Sequence, residues 1–288
     1  GVYKVAQDIA DSLVVKAIDT GYRRIDTAAL YDNELEVGSG IRKSGIDRSE
    51  IFVTTKIWKD GQGKDFTADA IEASLDRLKL GYVDMLLIHW PHPKLNKFVE
   101  TWQVFEDFLA TGRVKGIGVS NFEPAHLDAL LAESSVVPAL NQVELHPSFQ
   151  QQTVRDYNTA HGILTEAWAP LSRGKLTEDA VLVGLAKKHG KSPAQVILRW
   201  HIQLGNLVIP KTSNPDRLAE IAKAAGHASA KRAGTPSAEI VELLQAERIV
   251  ECFEADLWSG GGRAQDLIGL AETACGYSAV PLPAIDVD

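Results

Sequence analysis

Short runs of β-branched and apolar residues alternate with segments of helical period along most of this chain. That alternation predicts parallel strands joined by helical crossovers. The runs fall at residues 2–5, 24–26, 51–56, 83–89, 116–120, 139–144, 164–168 and 207–210, eight in all. The segments between them carry helix punctuation. Residues 67–80 place Ala70, Ile71, Leu75 and Leu78 on one face and stop at Gly81. Ser192-Pro193-Ala194-Gln195 is a capping box with proline at the first helical position, ahead of Val196, Ile197, Trp200 and Leu204. A further helix over about 178–189 precedes it, so the seventh crossover is expected to be longer than the others.

Eight strands in such an order predict a (β/α)8 barrel. A Rossmann sheet is the competing architecture, but no G-x-G-x-x-G stands between a strand and a helix. Gly38-Ser39-Gly40 has the wrong spacing and lies in a helical stretch, and Gly260-Gly261-Gly262 follows no strand.

Polar residues fall at one kind of place. The apolar runs end in Asp26, Lys56, His89, Ser120 with Asn121, Gln142, Trp168 and Lys211. In a closed parallel barrel those ends share one rim, where barrel active sites form. Each has a plainer reading: Asp26 as a turn cap, Tyr31 as a half-buried loop aromatic, His89 as a core histidine beside Trp90. His89 and His92 do not make a metal pair, because Trp90, Pro91 and Pro93 prevent a regular helical face, and no metal is expected. Lys56 is harder to dismiss, since an amine inside an apolar run needs a carboxylate, and Asp26 on the neighbouring strand can supply one.

Together Asp26, Tyr31, Lys56 and His89 predict a mechanism. Positive charge beside the phenol is expected to lower its pKa from roughly 10 toward the working range. Tyr31 then protonates a carbonyl oxygen while His89 orients it. The hydride must come from a nicotinamide, since no side chain donates one. A lyase using Lys56 as a Schiff-base nucleophile and a non-catalytic nucleotide sensor are the alternatives.

Composition narrows the partners. The 288 residues are 45% hydrophobic and 24% charged with a net charge of −8, and no basic stripe suggests nucleic acid or anionic membrane. No apolar run reaches the length of a membrane span. Two cysteines, Cys252 and Cys275, without ligand spacing predict a reducing, cytoplasmic setting. A monomer acting on a small-molecule carbonyl is the expected assembly. The chain opens on Gly1 rather than methionine, which predicts a start within a longer sequence.

The residues also match a family. Gly21-Tyr22-Arg23-Arg24-Ile25-Asp26-Thr27-Ala28 with Tyr31 and Asn33-Glu34, Thr54-Thr55-Lys56-Ile57-Trp58, and Leu87-Ile88-His89-Trp90-Pro91 resemble the aldo-keto reductases. So do Gly116-Ile117-Gly118-Val119-Ser120-Asn121-Phe122, Asn141-Gln142-Val143-Glu144 and Ile209-Pro210-Lys211-Thr212. The likeness is strongest to the bacterial 2,5-diketo-D-gluconate reductases and covers about residues 1–220. It implies a TIM barrel, NADPH/NADP+ as cofactor, and Asp26, Tyr31, Lys56 and His89 as a catalytic tetrad. Ser120, Asn121 and Gln142 would hold the nicotinamide carboxamide and Trp168 would stack on its ring. Leu171, Ser172 and Gly174 would pass over the pyrophosphate. Lys211, Thr212 and Arg217 would hold the 2′-phosphate; without the motif, Lys211 and Arg217 read as a solvated helix-end pair. Tyr3 and Trp90 would line the substrate pocket.

Two departures stand out. The family's N-terminal β-hairpin, which closes the barrel floor, does not precede the first strand here. Ile221 replaces an adenine-contacting asparagine, and residues 222–288 match nothing in the family. The segment 221–288 therefore reads as a replaced or frame-shifted tail, with an amphipathic helix possible over 237–258, and it is expected to weaken cofactor affinity more than chemistry.

Overall fold

A computed structural model describes residues 1–225. The two cysteines, the glycine triplet at 260–262 and the expected helix over 237–258 lie outside the described residues. Seven parallel strands form one sheet in chain order: β1 (Arg24–Asp26), β2 (Phe52–Ile57), β3 (Met85–Ile88), β4 (Ile117–Ser120), β5 (Leu140–Glu144), β6 (Leu164–Trp168) and β7 (Leu207–Val208). The helices are α1 (Gln7–Asp19), α2 (Glu34–Lys43), α3 (Thr67–Leu78), α4 (Phe98–Ala110), α5 (Pro124–Leu131), α6 (Gln152–Ala160), α7 (Ala180–His189), α8 (Pro193–Gln203) and α9 (Asp216–Ala225). Two helices, α7 and α8, fill the crossover before β7, which explains its length. The Ser192–Gln195 capping box is formed, and Lys79, in the left-handed region at φ 52°, ends α3 two residues early.

The sheet is rolled. In a flat sheet β1 and β5 would stand about 19 Å apart, four spacings of roughly 4.8 Å. Instead Gln142 of β5 donates to Asp26 of β1 at 2.9 Å, and Arg24 of β1 meets Glu166 of β6 at 2.8 Å. Strand alternation then sorts the side chains. Phe52, Met85, Leu87, Leu140, Leu164 and Leu207 pack together inside the barrel, whereas Val53, Ile57, Leu86, Ile88 and Val119 join the larger core under the helices. Above the apolar floor the same inward rows carry Asp26, Lys56, Gln142 and Glu166.

The expected strand at 2–5 is absent from the sheet. Val5 N donates to Val2 O at 3.0 Å, and Lys4 is left-handed at φ 55°, so the segment turns directly into α1. Val2 and Val5 are buried while Tyr3 and Lys4 are exposed, and the start of the chain makes only isolated backbone bonds to its neighbours. The Gly1 amine donates to Pro210 O at 3.1 Å and Val2 N to Asp26 O at 3.0 Å. A cavity of about 40 Å³ lies in this seam, lined by Val2, Val14, Ile25, Pro210, Leu218 and Ile221 among others.

Gly38 and Gly40 lie in a helix, as expected, and serve its packing. A Cβ on Gly38 would lie 1.9 Å from Leu78 O, and one on Gly40 2.6 Å from Asp11 O. The two glycines let α2 sit against both α3 and α1.

Candidate active site

The carboxyl ends of β1 to β3 bring the four expected catalytic residues together. Lys56 is fully buried and its Nζ donates to both oxygens of Asp26 at 2.8 Å and to Thr27 O at 2.9 Å. The same nitrogen lies 3.4 Å from Tyr31 Oη and 5.0 Å from the centre of its ring. Tyr31 stands on a short 3-10 turn after β1, and the His89 ring meets it edge-on with centroids 5.6 Å apart.

Burial and charge compete at each group. Burial acts to lower the Lys56 ammonium, but Asp26, Tyr31 and Glu166 outweigh it and hold it above its ordinary value. Burial acts to raise Asp26, yet the Lys56 charge holds it below the usual carboxylate range. A lysine so held is a charged donor and not a free amine, which disfavours Schiff-base chemistry. Burial, with Lys56 adding, pushes His89 down to about 3, so its imidazole is neutral at pH 7. Its Nδ1 is buried and makes no hydrogen bond among the described residues.

Tyr31 corrects an expectation. Its phenol is raised above its ordinary value, not lowered toward neutrality. Burial is the largest cause; Lys56 opposes it, and Asp26 adds to the rise by offsetting the lysine. Tyr31 is therefore a fully protonated acid at neutral pH.

The expected nicotinamide residues form a second linked group on β4 to β6. Ser120 Oγ donates to Gln142 O at 2.7 Å, and Asn121 Nδ2 donates to Ser120 Oγ at 3.1 Å and to His89 O at 3.0 Å. Trp168 Nε1 donates to Asn121 Oδ1 at 2.8 Å. Asn121 is left-handed at φ 62°, a conformation asparagine tolerates better than most residues. Left-handed backbone recurs in the loop after β6, at Ala169, Ser172, Arg173 and Gly174. Leu171 of that loop packs on Leu198 and Ile221.

Lys211 and Thr212 sit on the loop from β7 into α9, and Arg217 lies in the first turn of α9. Lys211 Nζ donates to Ser213 Oγ at 2.5 Å, and Thr212 Oγ1 donates to Asn214 O at 3.2 Å. Lys211 and Arg217 are exposed and Thr212 is partly so, which keeps the solvated reading of the two cations open. Tyr3 is exposed and meets the Tyr31 ring at a tilt of 54°, with centroids 5.1 Å apart. Trp90 is half-buried, its carbonyl accepting from Gln62 Nε2 at 2.8 Å.

Three neighbours of the site escaped the strand-end reading. Trp58 meets both His89 and His92 edge-on at 5.1 Å. Arg24 and Glu166 pair inside the barrel. Each lies two residues from a residue already singled out, so the period-two alternation of a strand was the available signal.

Among the described residues no cluster of three or more His, Cys, Asp or Glu could hold a metal, and no helix is long and apolar enough to cross a membrane.

Comparison with known proteins identifies the family. The chain is 52% identical over 219 residues to an aldo-keto reductase of Mycolicibacterium smegmatis, covering 76% of this chain and 80% of that one. It is 45% identical over 229 residues to 2,5-diketo-D-gluconic acid reductase B of a Corynebacterium strain, covering 79% and 83%. A crystal structure of a Gox0644 mutant in complex with NADPH superposes with a TM-score of 0.75 at 42% identity, over 87% of each chain. The sequence profile described as the aldo/keto reductase family matches residues 3–231. With a TIM-barrel fold and NADP(H) as the family's cofactor, this chain belongs to the aldo/keto reductase family.

Proposed function

We propose that this protein is an NADPH-dependent reductase of aldehydes and ketones, with sugar-derived ketoacids such as 2,5-diketo-D-gluconate among its candidate substrates. The observation that carries the reading is the cluster of a protonated phenol, a charged lysine and a neutral imidazole at one end of the barrel.

The cofactor fits the residues present. Ser120, Asn121 and Gln142 offer a hydroxyl and two amides already held by hydrogen bonds, so they would bind a carboxamide at little ordering cost. Trp168 would stack on the ring, and Leu171, Ser172 and Gly174 would lie along the pyrophosphate. Lys211, Arg217 and Thr212 put two cations and a hydroxyl within seven residues, which suits a 2′-phosphate dianion and favours NADPH over NADH. When bound, the nicotinamide supplies the hydride.

The chain's own residues handle the proton. Tyr31 gives its proton to the carbonyl oxygen as the carbon–oxygen π bond opens, and is left as phenolate. The Lys56 ammonium, 3.4 Å away, stabilises that phenolate until water returns the proton. Neutral His89 donates a hydrogen bond to the same carbonyl oxygen and fixes its direction. Tyr3, Trp58 and Trp90 give the substrate an aromatic wall.

In Tyr31→Phe, turnover is expected to fall by at least about a thousandfold, with NADPH still quenching tryptophan fluorescence at the wild-type affinity. Near-normal turnover in that variant ends the proton-donor assignment. Substrate range is read by NADPH oxidation against aldehydes, α-ketoesters and diketogluconate. A protein that binds NADPH yet turns over none of them is a nucleotide sensor.

A further inference from the structure

The barrel interior holds a second ion pair that the proton chemistry does not use. Glu166 is completely buried on β6, with Oε1 2.8 Å from an Arg24 guanidinium nitrogen. Its other oxygen faces Gln142, the residue paired with it in register on β5. One terminal atom of the Gln142 amide lies 2.7 Å from Glu166 Oε2 and 2.9 Å from Asp26 Oδ2.

An atom between two carboxylate oxygens has to be a donor. Turned the other way, the amide would set its own oxygen against two anions at contact distance and leave both buried acceptors unsatisfied. Gln142 Nε2 therefore gives one proton to each carboxylate, and Oε1 is the polar atom left for a ligand.

We infer that Glu166 is a positioning residue that fixes which end of the Gln142 amide meets the nicotinamide, so that the site accepts a carboxamide and rejects a carboxylate. The inference rests on the placement of the carboxamide at Ser120, Asn121 and Gln142 proposed above. Asp26 alone would hold only one of the two amide protons. Arg24, which also lies over the Phe52 ring at 4.8 Å, holds Glu166 in place from its far side. The chain thereby reads the amide of its cofactor through a carboxylate that never touches it.

The test measures dissociation constants by tryptophan quenching for three nucleotides: NADP+, its nicotinic acid analogue with a carboxylate in place of the amide, and 2′-phospho-ADP-ribose, which lacks the ring. The wild type is expected to bind NADP+ about tenfold or more tighter than the acid analogue. In Glu166→Gln, a near-isosteric change that removes the lock, that ratio collapses toward one while affinity for 2′-phospho-ADP-ribose is unchanged. A wild-type ratio retained in Glu166→Gln overturns the inference. Equal loss for all three nucleotides also overturns it, because that is the mark of a merely structural role.

Gln142→Met separates the two levels of the argument. If it leaves the wild-type ratio intact, or if the wild type shows no preference, the carboxamide placement itself fails and the inference falls with it. If Gln142→Met abolishes the preference but Glu166→Gln does not, only the role of Glu166 is wrong. Should Glu166→Gln leave Arg24 too costly to bury, the double variant Arg24→Met/Glu166→Gln removes both charges and carries the same measurement.

Discussion

Acidification from pH 7 to pH 5 should cost this protein a large part of its stability through two buried histidines. His201 on α8 is fully buried, its Nε2 donating to Pro170 O at 3.2 Å. Burial pushes it down to about 3, as it does His89. In the unfolded chain both return to about 6.5. Between those values the unfolded state binds more protons than the folded one, so stability rises with pH across the window and is lost as pH falls. Each unit below 6.5 costs about 1.4 kcal/mol per histidine, which gives about 2 kcal/mol each at pH 5 and about 4 kcal/mol for the pair. That is a substantial share of a stability typically about 5–15 kcal/mol. Buried Asp26, held low by Lys56, acts in the same direction but only below about pH 4, outside the interval. His201→Gln keeps a donor for Pro170 O and removes one titrating group. Urea unfolding at pH 7 and pH 5 should show the wild type losing about 4 kcal/mol and the variant about 2 kcal/mol. An equal loss in both proteins would refute the argument, because His201 would then carry none of the acid sensitivity.

Other outcomes follow from the same geometry. Lys56→Met leaves Asp26 buried without its cation and should lower stability by about 3–5 kcal/mol, with turnover lost alongside; thermal unfolding and NADPH oxidation read the two effects. Arg217→Ala should weaken NADPH about tenfold while leaving NADH almost untouched, measured as the ratio of the two dissociation constants. Gly38→Ala drives a methyl into Leu78 O and should cost at least about 1–3 kcal/mol, with a lowered urea midpoint and an unchanged slope.

Much of the fold was legible because each strand is a short apolar run bounded by turn residues, and a parallel sheet in chain order needs little more. Seven strands fall within about two residues of expectation. The segment at 2–5 misled because a short β-branched run reports which side chains could face a core, not whether backbone partners exist. Here Val2 finds one bond to β1, and Lys4 turns the chain away. The strand-end rule picked out Asp26, Lys56 and His89 and the Ser120–Asn121–Gln142 group, which the structure brings together, because polar side chains at a barrel rim contradict the apolar run beneath them; Tyr31 lies on the turn after β1 and came from the loop. The rule missed Glu166 and Arg24 because those residues lie one layer lower, where a single charge inside a strand looks like an irregularity until its partner, more than a hundred residues away, is in view.

The error over Tyr31 has a different source, because the sequence reading counted the charge beside the phenol and left out its burial. A lysine beside a phenol suggests a phenol made acidic in advance. With Asp26 bonded to the lysine through both oxygens, the pair presents little net charge to a neutral hydroxyl, and burial decides the outcome. Lys56 acts on the phenolate and hardly on the phenol, yet burial together with Asp26 still disfavours the phenolate, so the lysine limits that cost without reversing it. A buried phenolate 3.4 Å from Nζ gains from the ammonium far more than the phenol did, because only the charged form interacts strongly. In the reaction proposed above, the lysine would thus act on the charge that develops during proton transfer and hardly on the resting acid. Such a preference for the charged form is the differential stabilisation that the proposed proton transfer would require of Lys56.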